Sequence, residues 1–275
     1  MGLIKLLILG PTGSMGRLIT ELALKDKEID VVAASGIDHI GNLLGSLVAV
    51  EDVKNIRISN IEDLKETIKQ AKPDIAVDFT LANATEKNCL ICVDMGVRCV
   101  IGTTALSQEF LLEFEAKVKE KNAPAVISPN MATGMNVFFE IAKKLSQYLK
   151  DWDIEIIEIH HHRKVDAPSG TALKIGKLIG DAINSDFDKI VKYGREKGPN
   201  KREIGAKSEI GMHSIRAGDI VGDHIVLFAG TGERIELKHQ AHNRYSFAEG
   251  AIKAIKFISE QSVARIFSMK DVLEI

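Results

Sequence analysis

The run His160-His161-His162-Arg163-Lys164 sets three imidazoles, a guanidinium and an ammonium side by side, and Pro168 and Gly170 break the chain just beyond it. Imidazole titrates closer to neutrality than any other unperturbed side chain, so a histidine here is suited to proton transfer near pH 7. The segment TALKIGKLIGDAI, opening at Thr171, reads as a helix whose start offers free N–H donors. A carboxylate placed there would meet Thr171, backbone amides and the full charge of Lys164. The stretch is therefore expected to hold a small anion, a carboxylate, with His160 or His161 as the acid that hydride transfer to carbon needs. Adjacent histidines cannot all converge on one ion, and no acid or cysteine sits at ligand spacing, so no metal site is expected. A short loop cannot aim five consecutive side chains at one ligand, so His162 and Arg163 are read as solvent-facing.

A second set of residues points to a nucleotide. Gly10-Pro11-Thr12-Gly13-Ser14-Met15-Gly16 spaces its glycines GxxGxxG between an apolar run and a segment with Met15, Leu18, Ile19 and Leu22 at helical spacing. There the backbone passes close to a pyrophosphate, whose charge a helix N-terminus meets. Asp38 follows the next apolar run and suits hydrogen bonding to an adenosine ribose. Its carboxylate would repel a 2′-phosphate, so the expected cofactor is NADH, with NADPH left open. Gly102-Thr103-Thr104 and Ser128-Pro129-Asn130-Met131 end two further strands at the carboxyl edge of a sheet, where they would line the nicotinamide.

These residues need elements to hold them. After the strand, glycine turn and helix that LIKLLILG opens, helix and strand alternate through IDVVAASGID, DIAVDFT, VRCVIGTT and APAVISPN, the pattern of a doubly wound parallel sheet. From Met131 the rhythm changes to a helix near 134–149, the strand WDIEIIEIH, the helix opening at Thr171 and a β-rich remainder without helices. Within that remainder, 224–229 and 233–238 read as a hairpin about Gly230 and Gly232. The expected fold class is α/β, a Rossmann-like doubly wound parallel sheet plus a second α+β domain with a mixed or antiparallel sheet. The dinucleotide-binding domain is assigned to 1–130 and 240–275, the latter because Phe247, Ala251, Ile255 and Ile258 line an amphipathic helix; 131–239 is the substrate-binding and oligomerisation domain.

Composition agrees with this. With 275 residues, 45% hydrophobic and 27% charged, the chain can bury one or two cores. A formal charge of -2 offers no global field for nucleic acid or an anionic membrane. The apolar run at the N-terminus is too short for a membrane span or a signal peptide, so a cytoplasmic protein is expected. Cys89, Cys92 and Cys99 do not form a disulfide framework, and the CxxC is read as small buried hydrophobes facing inward from a helix.

The stretch His160 to Ala172, of the form HHxxKxDAPSGTA, resembles the signature of the dihydrodipicolinate reductase family, and GPTGSMG, IGTT, SPNM and RAGDIVGDHIVLFAGTGERIEL resemble that family's segments in order over nearly the whole chain. The resemblance implies reduction of 4-hydroxy-tetrahydrodipicolinate, a small dicarboxylate, by hydride transfer from NADH or NADPH in the diaminopimelate route to lysine. It implies His160 as proton donor, Lys164 as a catalytic and substrate-binding residue, and His161, Gly170 and Thr171 as ligands of the substrate's carboxylates. Gly10 to Gly16, Asp38, Gly102, Thr104 and the Ser128–Met131 turn would hold the cofactor, in a homotetramer assembled through the second domain's sheets. Where the family often carries arginine, this chain has His39, and Leu81 stands where some members have arginine after DFT; both departures point away from a strong NADPH preference. The competing readings are an NAD(P)-dependent dehydrogenase of another amino or keto acid, and a non-catalytic dinucleotide sensor.

Overall fold

The computed structural model describes residues 2–48, 50, 55–202 and 209–275. In chain order the elements are β1 (Ile4–Leu9), α1 (Ser14–Lys25), β2 (Ile29–Gly36), β3 (Ile58–Asn60), α2 (Leu64–Ala71), β4 (Ile75–Asp78), α3 (Ala82–Asp94), β5 (Arg98–Ile101), α4 (Gln108–Glu120) and β6 (Ala125–Ile127). There follow α5 (Thr133–Tyr148), β7 (Asp153–His160), α6 (Gly170–Ala182), α7 (Phe187–Ile190), β8 (Val191–Tyr193), β9 (Ile210–Arg216), β10 (Gly222–Gly230), β11 (Glu233–Ala241), α8 (Tyr245–Glu260), β12 (Ile266–Phe267) and α9 (Met269–Leu273). Two compact units result, 1–133 with 244–275, and 134–243.

The first unit holds a seven-stranded sheet in the order β12-β6-β5-β4-β1-β2-β3, parallel in every pairing. β1 shows why it is central. Leu6 and Ile8 join one apolar cluster, Leu7 and Leu9 another, so helices cover both faces of the sheet. α8 closes the first face with Ala251, Ile255 and Ile258, the residues expected from its periodicity. Cys89, Cys92 and Phe114 belong to the second. The thiols are buried as the sequence suggests, and burial pushes Cys89 up to about 12, so they act as apolar filling. β12, only two residues long, extends the sheet beside β6 and leaves no period-2 trace for a sequence reading to find.

The second unit holds a five-stranded mixed sheet, β11-β10-β7-β9-β8, in which β10 runs antiparallel to β7 and β11 while β7, β9 and β8 run parallel. The hairpin falls where the turn residues place it, but the β-rich stretch is interrupted by the four-residue α7, whose Phe187 lies where a Cβ on Gly176 would fall. Along β7 burial alternates with period two: Ile154, Ile156, Glu158 and His160 face inward.

Gly250 lets α8 approach the Met131 turn, since a Cβ there would stand 1.7 Å from the Met131 carbonyl oxygen. Gly250→Ala should therefore lower stability by about 2 kcal/mol despite alanine's better helix propensity, the overpacking outweighing the gain. Chemical denaturation would show it; an unchanged or raised midpoint would mean the backbone yields at no cost.

Candidate active site

In the first unit the strand order reverses between β1 and β4, and the residues picked from the sequence gather at the carboxyl ends of the strands on that edge. Gly10 turns out of β1 at φ 66°, a left-handed value that favours glycine. Gly16 has no room for a side chain, because a Cβ would lie 2.0 Å from the Gly10 carbonyl oxygen. Pro11 is buried beneath the turn, while Thr12, Gly13, Ser14 and Met15 form its partly open rim. Gly13 caps α1 without a side-chain acceptor among the described residues, leaving the first-turn amides open to an anion. Past β2 the exposed Asp38 accepts from Thr12 Oγ1 at 2.6 Å, which joins the glycine turn to the acid expected to meet a ribose. The turn, its tight glycine approach and this acid fit a dinucleotide.

The other two predicted turns meet at the same edge. A Cβ on Gly102 would collide with the Phe79 ring, and Ser128 N–H donates to Ile101 O at 3.0 Å. Ser128 Oγ donates to Asn130 O, and Asn130 Oδ1 accepts from Ala132 N–H, which fixes the Ser128–Met131 turn. Thr103 is buried in a hydroxyl network with Thr80 and Thr85 around one oxygen of Asp78, whereas Thr104 is exposed. Burial pushes the Asp78 carboxyl above its ordinary value, against the pull of those hydroxyls. Sequence reading did not single Asp78 out; an acid ending a buried strand was the available signal.

In the second unit the histidine run divides by partner. His160 ends β7, 9% exposed, and its Nδ1 donates to Glu158 Oε2 at 2.5 Å. His161 follows with Nδ1 shut from solvent and unpartnered among the described residues; desolvation first, then the charges of Arg163, His160 and Lys164, lower its pKa. His162 Nδ1 donates to Gly218 O and Arg163 pairs with Asp219, both on the surface as expected. Lys164 Nζ lies 2.7 Å from Asp166 Oδ1, and this bond, more than any other influence, lowers the Asp166 carboxyl. Lys164 thus already holds a carboxylate on its own loop, just ahead of Gly170. Gly170 and Thr171 open α6, capped by Ser169, whose Oγ accepts from Ala172 N–H.

Three further residues complete this cluster, and the sequence reading missed them. Glu158, fully buried, takes a two-pronged bond from Arg216 at 2.9 and 2.8 Å and a bond from Ser169 N–H at 3.2 Å. Burial would raise its carboxyl, but Arg216, His160 and Ser214 together outweigh burial and hold it below the ordinary value. His224 stacks edge-on against His160 with centroids 5.3 Å apart, and its Nε2 meets Ser169 Oγ at 3.2 Å. Burial, then the neighbouring His160, lower His224 to about 3. The traces were an acid two residues before His160 on the same strand face and a histidine alternating inward along β10.

A parallel sheet with a glycine-turn crevice, together with a unit carrying carboxylate-backed imidazole and ammonium groups, defines an NAD(P)H-dependent oxidoreductase. The sequence matches the family described as dihydrodipicolinate reductase at both of its parts, the N-terminus over residues 4–131 and the C-terminus over residues 134–273. It is 43% identical to the 4-hydroxy-tetrahydrodipicolinate reductase of Methanosarcina barkeri over 98% of this chain and 99% of that one. It is also 43% identical to that of Methanococcoides burtonii over 97% of each. The structure of a dipicolinate-bound dihydrodipicolinate reductase from Paenisporosarcina sp. TG-14 superposes with a TM-score of 0.78 at 28% identity, covering 98% of both chains. The chain belongs to the dihydrodipicolinate reductase family. Among the described residues no helix is long and apolar enough to cross a membrane.

The buried His224 sets a pH dependence. Between pH 6.5 and about 3 the unfolded chain binds a proton there that the folded chain refuses, so stability rises with pH across this window and is lost on acidification. His224→Asn should flatten the unfolding free energy against pH by about 1.4 kcal/mol per pH unit in that window. Urea titrations at successive pH values would read it, and an unaltered slope would place the titration elsewhere.

Proposed function

We propose that this chain reduces 4-hydroxy-tetrahydrodipicolinate to tetrahydrodipicolinate with NADH or NADPH, in the diaminopimelate route to lysine. The substrate gains one hydride and one proton and loses its hydroxyl as water. The dihydronicotinamide, when bound, supplies the hydride and leaves oxidised. His160 gives the proton: of the three consecutive histidines it is the one bonded to a carboxylate among the described residues, and that bond orients its ring. Lys164, His161, Gly170 and Thr171 hold the substrate's carboxylates. The observation that supports this reading best is that Lys164 already holds a carboxylate, that of Asp166, at 2.7 Å on the loop that follows the proton donor.

The first unit binds the dinucleotide. Gly10 to Gly16 and the start of α1 take the pyrophosphate, Asp38 the ribose, and Gly102, Thr103, Thr104 and Ser128 to Met131 the nicotinamide end. The second unit binds substrate and assembles a homotetramer. Supporting that assembly, the face of its sheet opposite Glu158 and His160 carries a band of Ile157, Ile159, Ile215, Ile225 and Leu227, with Ile215 43% exposed.

The deciding experiment follows nicotinamide absorbance when the purified protein meets NADH or NADPH and the freshly made product of dihydrodipicolinate synthase. Rapid oxidation that requires that product, with NADH used at least as well as NADPH, is expected; no oxidation with either would defeat the reading. His160→Gln should lower kcat by roughly 100-fold or more with a modest effect on KM, as for loss of a general acid. Lys164→Ala should damage both kcat and substrate affinity, and a lesion confined to cofactor binding would rule its placement out. Light scattering should give a mass near four chains, and Leu227→Asp should reduce it; a tetramer indifferent to that change would locate the interface elsewhere.

A further inference from the structure

Beyond the residues that touch ligands, one buried group holds the proton donor in place. Glu158 and His160 leave the same face of β7 two residues apart. Glu158 Oε2 accepts from His160 Nδ1 at 2.5 Å and from Arg216 Nη1 at 2.9 Å. Its Oε1 accepts from Arg216 Nη2 at 2.8 Å and from the Ser169 amide at 3.2 Å. Arg216 lies opposite His160 in the parallel register of β7 and β9, and its guanidinium also donates to Asp166 O at 2.6 Å. One carboxylate thus ties together the strand bearing His160, the loop bearing Lys164 and Asp166, and the cap of α6. On the ring's other side, Gly222 keeps space for it, since a Cβ there would stand 3.0 Å from His160 Nε2.

We infer that Glu158 is the positioning residue of the reaction: it fixes His160 with a proton on Nδ1, so that Nε2 is the nitrogen that gives up its proton, and it holds the start of α6 in register with that nitrogen. This rests on the reading of His160 as proton donor. An ionised carboxylate accepts and does not donate, so Nδ1 must carry the hydrogen of the bond. In the transfer the Nε2–H bond breaks with its electron pair staying on nitrogen. The proton bonds to the substrate atom that carries the electron pair displaced by the incoming hydride. Nδ1 keeps its hydrogen throughout, and Nε2 is reprotonated from solvent before the next turnover. A purely structural account is weaker, because a buried ion pair is commonly no more stabilising than apolar groups of the same shape. What apolar groups could not supply is the direction of the imidazole.

The titratable and charged groups around the ring are Glu158 on β7, Arg216 on β9, His224 on β10, and His161 and Lys164 on the following loop. Among the described residues only Glu158 is hydrogen-bonded to it. The first test is the nitrogen NMR spectrum of the whole protein labelled at histidine, with His160 assigned by its absence in His160→Gln. The neutral ring should show a protonated Nδ1 and a bare Nε2; the opposite tautomer overturns the inference without any variant at Glu158. The second is Glu158→Gln, which keeps the shape and removes the charge. It should lower kcat by about 10- to 100-fold while KM for the dicarboxylate stays within about threefold. A folded variant with unchanged kcat overturns the inference, and if the variant does not fold, the wild-type tautomer decides. Absence of wild-type turnover would instead defeat the reaction assigned above, while the tautomer would still report whether Glu158 sets the ring.

Discussion

A carboxylate with no exposure to water is the constraint on which the second unit turns. Left alone, an ionised Glu158 would cost several kcal/mol in so dry a place, and the chain would neutralise it or expel it. It does neither, because four donors reach its two oxygens from three different parts of the unit. Each donor is thereby committed. Arg216 cannot turn outward, the Ser169 amide cannot slip along the chain, and His160 cannot flip its ring without leaving a charge unmet. The placing of Gly170 and Thr171 follows from that of Ser169, whose hydroxyl caps the helix they begin.

The first unit gathers its polar groups by other means. In a parallel sheet every strand ends on the same edge, so turns separated by a hundred residues arrive together with no charge to hold them. Close packing does the work instead: a Cβ on Gly16 would meet the Gly10 carbonyl oxygen, and one on Gly10 the Thr80 side chain. Asp78 ends β4 on that edge with hydroxyls rather than cations around it, and its carboxyl is raised where that of Glu158 is lowered. The contrast follows from the partners: threonine hydroxyls cannot offset burial, whereas a guanidinium and an imidazole can.

The same difference decides what could be read from the sequence. The parallel sheet, its glycine turn and the closing helix α8 leave strong periodic traces, since apolar residues must cover both faces of each strand. β7 does not. Its two alternating sets, Ile154, Ile156 and Glu158 against Glu155, Ile157 and Ile159, are equal in apolar content, so nothing local says that Glu158 points inward. Arg216 is harder still, being fifty-eight positions away and brought to Glu158 only by the register of β9. The residues expected to touch a ligand were legible from their chemical type; Glu158 shows itself only through partners supplied by the fold.

The five basic residues at 160–164 can now be understood by subtraction. Arg163 is spent on Asp219 at the surface, and His162 on a backbone carbonyl. Burial keeps the neighbouring His224 neutral, and desolvation, then the charges of its positive neighbours, disfavours charge on His161. What remains for an anion is Lys164 on its loop and His160 backed by Glu158. Even Lys164 is engaged, by the Asp166 carboxylate, so its ammonium is not left unpaired. Pairing of this kind spares the loop the cost of holding bare positive charges close together. The dense run of positive side chains is therefore a poor measure of the site's charge; the partners each one already has determine which of them can act.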